Sequence, residues 1–215
     1  MNIKACIFDL DGVIVDTVPA HYVAWKSIAD ELGIPFNEED NEQLKGVSRI
    51  QSMKNILAMG NRTMTDDEII VLTEKKNKVY VDIISKMTPQ DILPGVNKFL
   101  ELLEQNGIPK AIGSSSKNTP TILEAVGLQN RFDAIVDGNS VTHSKPDPEV
   151  FLKGAALLGF KPEECLVFED AISGVAAAIA GGMKCIGVGE EEILGDAGLV
   201  VPDMTNVDLK TLENL

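Results

Sequence analysis

The chain has 215 residues, 44% hydrophobic and 24% charged, which excludes wholesale disorder and a fibrous repeat and leaves room for one domain carrying a small insertion. Lys and Arg number 19 against 33 Asp and Glu, a formal net charge of −14. A field of that sign repels phosphate backbones and anionic lipid, so no nucleic acid or membrane partner is expected; a small phosphorylated ligand can still be held by a local cationic pocket or a metal.

The opening segment MNIKACIFDLDG has an apolar run too short for a signal peptide, and acids interrupt it at once. The apolar stretch 175–180 falls far short of the ~20 residues of a membrane helix. Cys6, Cys165 and Cys185 each sit in an apolar run that reads as a strand, with no metal-ligand spacing. Free buried thiols in a reducing cytoplasm are expected.

Residues 4–8 form a short apolar run without amphipathic period, the mark of a buried strand. Tyr22, Trp25, Ile28/Ala29 and Leu32 then recur at helical spacing until Gly33 stops the run. Thr65-Asp-Asp-Glu68 is a capping box that opens a helix ending near Ser85. No convincing strand falls between residues 17 and 86. Beyond Pro89 the pattern changes: a helix opened by Pro94-Gly95 and stopped at Asn106-Gly107, then strands at 110–113, 134–136, 165–168, 184–188 and 199–201. Helical segments at 120–126, 148–158 and 172–180 separate them. The expected fold is α/β, a Rossmann-like parallel sheet with helices on both faces, built from residues 1–16 and 89–215. Residues 17–88 read as an inserted all-helical cap.

Four features fall after predicted strands, at the edge where open α/β sheets bind ligands. Asp9 and Asp11, two apart, lean into one cleft if the strand continues, and two carboxylates ~4 Å apart repel by about 4 kcal/mol at an effective dielectric near 20 unless a metal or a shared proton intervenes. Alone, the pair reads equally as an aspartate-rich turn. Glu169-Asp170 opens a helix and alone serves the helix dipole, but with Asp9 and Asp11 it makes an oxygen-ligand set suited to Mg²⁺. Ser114 to Asn118 precedes a helix, either as an anion site or as a polar loop. Lys145 is either a solvated charge or a cation for the acidic cleft.

In this order the four pieces resemble the motifs of the haloacid dehalogenase superfamily: Phe8-Asp-Leu-Asp-Gly-Val13, Ser114, Lys145 and Glu169-Asp170, with a helical cap inserted after the first. Asn41-Glu-Gln-Leu-Lys-Gly-Val-Ser-Arg49, Lys75-Lys-Asn77, Ser116-Lys-Asn118 and Gly187-Val-Gly189 are similar to segments of its sugar-phosphate mutases. Ile50-Gln51 and Asp137-Gly-Asn139 match less closely.

The resemblance implies Asp9 as nucleophile forming an aspartyl-phosphate, and Asp11 as general acid and base. It implies Mg²⁺ held by Asp9, the Asp11 carbonyl and Asp170, with Glu169 close by, and Ser114 and Lys145 on the phosphoryl oxygens. Thr17 would be a hinge. Arg49 would hold a second phosphate with Ser116, Lys117 and Asn118, while Lys45, Gly46, Val47, His21 and Lys76 would meet the sugar. Trp25 reads as cap core rather than a stacking platform. The implied reaction converts β-glucose 1-phosphate to glucose 6-phosphate through a bisphosphate. No heptad or apolar stripe demands a partner, so a monomer is expected. A phosphatase on the same scaffold shares every core residue. A non-enzymatic phospho-receiver is disfavoured by the Asp9/Asp11 spacing and by the helical insert.

Overall fold

The protein is described by a computed structural model covering residues 3–214. Strand β1 (Ala5–Phe8) comes first, followed by helices α1 (Val18–Glu31), α2 (Glu38–Glu42), α3 (Arg49–Met59) and α4 (Asp66–Ile84). Next are α5 (Val96–Gln105), β2 (Lys110–Gly113), α6 (Thr119–Ala125), β3 (Ala134–Val136) and α7 (Glu149–Leu158). The chain continues through β4 (Cys165–Glu169), α8 (Ile172–Ala180), β5 (Lys184–Val188), α9 (Glu191–Leu194), β6 (Leu199–Val201) and α10 (Leu209–Glu213). The expected alternation is thus observed, with β4 one residue longer than predicted. The capping box opens α4 as expected: the Thr65 hydroxyl accepts from the Glu68 amide, and the Glu68 carboxylate accepts from the Thr65 amide.

The six strands form one sheet in the order β3-β2-β1-β4-β5-β6, every pair parallel. Strand β1 is wholly buried at its centre. Alternation sends Cys6 and Phe8 to one face, where Phe8 stacks on Phe168 at 4.8 Å and meets Phe99 edge-on. Ala5 and Ile7 face the other side with Phe151, Val175 and Ala178 of α7 and α8. The three cysteines are buried in strands and unpaired. The strand order reverses direction between β1 and β4, which makes the carboxyl ends of these two strands the ligand crevice.

Helices α1 to α3 and the first part of α4 enclose a core of their own around Trp25, Ile28, Phe36, Met53, Ile56 and Ile69. The last turns of α4 do not belong to it: Tyr80 and Ile84 pack with Phe99 and Leu103 against the sheet. The chain enters and leaves this helical region side by side. Val15 pairs antiparallel with Ile92, and the Leu93 amide donates to the Ile14 carbonyl at 3.0 Å. No helix among the described residues is long and apolar enough to cross a membrane.

Candidate active site

Parallel register brings the first acids together. Phe8 sits opposite Phe168, so Asp9 and Glu169 leave adjacent strands at the same level, and the Asp9 amide donates to the Phe168 carbonyl at 2.9 Å. Ligand oxygens of Asp9, Glu169 and Asp170 lie within 4.8 Å of one another. Lys145, 136 residues from Asp9 in the chain, reaches into this cluster: its ammonium donates to Asp9 at 2.6 Å and to Glu169 at 2.8 Å. Its side chain is 1% exposed. Burial works against its charge, but the Asp9 and Glu169 carboxylates outweigh burial and hold its pKa above the ordinary lysine value. The other Glu169 oxygen accepts from the Ala171 amide at 3.1 Å.

The cluster is short of positive charge. Burial pushes the Asp170 carboxyl up to about 7 and the Glu169 carboxyl up to about 8, with the charge of Asp9 adding to both. Three crowded, largely buried carboxylates, with Lys145 committed to two of them and Lys45 reaching Asp170 from the helical side at 3.3 Å, are a donor set that fits a hard divalent cation such as Mg²⁺. Gly12 makes the crowding possible: its φ is +83°, and a Cβ there would stand 2.1 Å from Asp170 Oδ2.

Asp11 behaves differently from its neighbour. The strand ends at Phe8, so the loop rather than strand alternation turns both aspartates into one cavity, which corrects the reasoning from spacing. The Asp11 carboxylate lies outside the cluster of three and accepts hydrogen bonds from the Thr17 hydroxyl and from the Tyr80 hydroxyl, the latter at 3.2 Å. Only its backbone carbonyl therefore remains for the metal role expected of it. Burial raises its pKa to about 6, helped by Asp9 and opposed by the hydrogen bonds from Thr17 and Tyr80.

A cavity of about 480 Å³ covers the cluster. Asp9, Asp11, Ser116, Lys117, Asn118 and Asp170 line it from the sheet side; His21, Lys45, Gly46, Val47, Arg49 and Lys76 line it from the helical side. Ser114, Lys145 and Glu169 lie beneath it, each buried; the Ser114 hydroxyl accepts from the Ser116 amide at 3.0 Å and so shapes the loop. Lys76 is 2% exposed, 3.0 Å from His21 Nδ1, and its ammonium lies over the rings of Tyr80 and Trp25. Burial and then the Arg49 charge lower its pKa to about 7. Arg49, the first residue of α3, makes no salt bridge among the described residues, and burial lowers its pKa. Trp25 is both helical core and cavity wall.

The sequence did not point to Tyr80, and it marked Asn77 only within the Lys75-Lys-Asn77 segment, without its partner. Tyr80 follows Thr73 and Lys76 at i+7 and i+4 on one face of α4, a helical spacing that can be read, but nothing local tells that its hydroxyl meets Asp11. Asn77 accepts from the Asn118 amide group at 2.9 Å and so joins α4 to the loop after β2.

This sheet order, acid cluster and buried lysine define a phosphoryl-transfer scaffold of one class. A family model for haloacid dehalogenase-like hydrolases matches residues 3–182, and the chain belongs to that family. It is 42% identical over 211 residues to a β-phosphoglucomutase of Bacillus subtilis, covering 97% of this chain and 93% of that protein. A crystal structure of β-phosphoglucomutase from Clostridium difficile superposes with a TM-score of 0.94 at 38% identity, covering 99% of this chain and 96% of the other. A phosphorylated carbohydrates phosphatase of Thermotoga maritima is 30% identical over 186 residues, 85% of this chain and 83% of that one.

Proposed function

We propose that the protein interconverts β-D-glucose 1-phosphate and glucose 6-phosphate through an aspartyl-phosphate and a glucose 1,6-bisphosphate, as a monomeric cytoplasmic enzyme using Mg²⁺. What carries this reading is one cavity lined by Asp9 and Asp170 on the sheet side and, on the helical side, by Arg49, which makes no salt bridge among the described residues; this suits a sugar with phosphate at both ends. The likeness to β-phosphoglucomutases over nearly the whole chain supports it.

In this reading Asp9 attacks the phosphoryl group in line, and Lys145 and Ser114 hold its oxygens. Asp9, Asp170 and the Asp11 carbonyl, with Glu169 behind, would hold Mg²⁺, whose charge would offset the repulsion between carboxylate and phosphate. Asp11, positioned by Thr17 and Tyr80, takes the proton from the attacking sugar hydroxyl and returns it to the leaving oxygen. Arg49 grips the distal phosphate with Ser116, Lys117 and Asn118. Residues 17–88 act as a cap whose closure excludes water from the aspartyl-phosphate.

A phosphatase for phosphorylated carbohydrates is the second reading, favoured by the 30% identity to the Thermotoga maritima enzyme. NMR product analysis with β- and α-glucose 1-phosphate supplied separately, each with a trace of the bisphosphate, decides between them. Glucose 6-phosphate from the β anomer supports the mutase; free phosphate and glucose overturn it.

A further inference from the structure

The loop after α2 lays a cation on one of the clustered carboxylates. Lys45 Nζ is 3.3 Å from Asp170 Oδ2 and 2.8 Å from Glu42 Oε2. Two more contacts seat this loop on the segment that follows Asp170. The Ser173 hydroxyl donates to the Lys45 carbonyl at 3.2 Å. Gly46, at φ +70°, lies so close that a Cβ would stand 2.3 Å from Ser173 Oγ. The Lys45 ammonium therefore reaches Asp170 through the docking of the helical region on the sheet.

Asp170 shares its surroundings with Asp9 and Glu169, and the buried Lys145 is bonded to those two. A docked Lys45 thus supplies Asp170 with the positive charge that a metal would otherwise bring. Two cations on one carboxylate repel, and the oxygen that accepts from an ammonium is a weaker ligand for a divalent ion. Resting on the assignment of Asp9, Glu169 and Asp170 as the Mg²⁺ site, we propose that in the substrate-free protein Lys45 and the metal compete for Asp170, so that without a bound phosphate docking of the helical region and metal loading oppose each other. Linkage makes the effect mutual: the metal loosens the docked loop by the same factor by which docking weakens the metal.

Calorimetric titration of the full-length chain with Mg²⁺ alone tests this in the wild type, Lys45→Met, Lys45→Arg and Asp170→Asn. Removing the competing charge is expected to tighten Mg²⁺ binding by about three- to tenfold in Lys45→Met, the scale of a partly exposed ion pair. Lys45→Arg keeps the charge and stays near the wild type. Unchanged or weaker binding in Lys45→Met overturns the proposal, and so does equal tightening in both variants, which would assign the effect to packing rather than charge. Asp170→Asn checks the metal assignment separately. Lost binding there upholds it, while wild-type affinity places the metal elsewhere and removes the ground for the proposal.

Discussion

The Tyr80 hydroxyl, carried by the last turns of α4, donates to the Asp11 carboxylate at 3.2 Å, so a group assigned to proton transfer is held from the helical region and not only from its own loop. Tyr80→Phe keeps the ring packing and removes this one donor. We expect kcat to fall about tenfold with little change in KM, because the loss concerns the aim of Asp11 rather than phosphate binding. Steady-state kinetics on β-glucose 1-phosphate checks it; a rise in KM at constant kcat contradicts it.

Asp9→Ala should abolish turnover and leave no phosphorylated protein on intact-mass analysis after exposure to the bisphosphate. Retained mutase activity in that variant refutes covalent catalysis through Asp9.

Lys145→Met should destabilise strongly. The lysine is 1% exposed and bonded to two carboxylates, so its loss strands buried negative charge at a cost of about 3–5 kcal/mol. Denaturant unfolding measures this loss. If the cluster binds Mg²⁺, the metal should stabilise the variant more than the wild type, by mass action on a more negative site.

Arg49→Ala should separate the two activities. Losing hydrogen bonds to a charged phosphate is expected to lower mutase kcat/KM by roughly 10- to 100-fold, while hydrolysis of a small monophosphate changes little. Equal loss of both argues against the second-phosphate role.

Lys76 provides a pH signature. Burial and then Arg49 lower its pKa to about 7, so its positive charge is present below that pH and lost above it. Substrate affinity, followed as kcat/KM, should weaken as pH rises through about 7. The stability effect has the opposite direction. The unfolded lysine titrates near ~10.4 and binds more protons than the folded one between these values, so stability rises with pH across that window. The cost of burying the charge is full below about 7. Lys76→Met should therefore raise Tm at pH 6, about 2–4 °C for each ~1 kcal/mol recovered, while lowering activity.

Much of this protein was legible in one dimension because the relevant physics is local. Alternating short apolar runs and helical periods announce a parallel sheet, the capping box at Thr65 starts α4, and the acids lie directly after strands. The resemblance of four short motifs, each ambiguous alone, extended that reading to the chemistry. Contacts between distant segments were not legible. Periodicity states which face of an element is buried but not which loop crosses it. Only the β1–β4 register sets Asp9 beside Glu169, only the path of the loop before α7 delivers Lys145 to both, and only the docking of α2 and α4 puts Lys45 on Asp170 and Tyr80 on Asp11. Side chains that look solvated or merely structural in the sequence acquire these partners because folding removes water and leaves each buried charge or hydroxyl to find a complement in space.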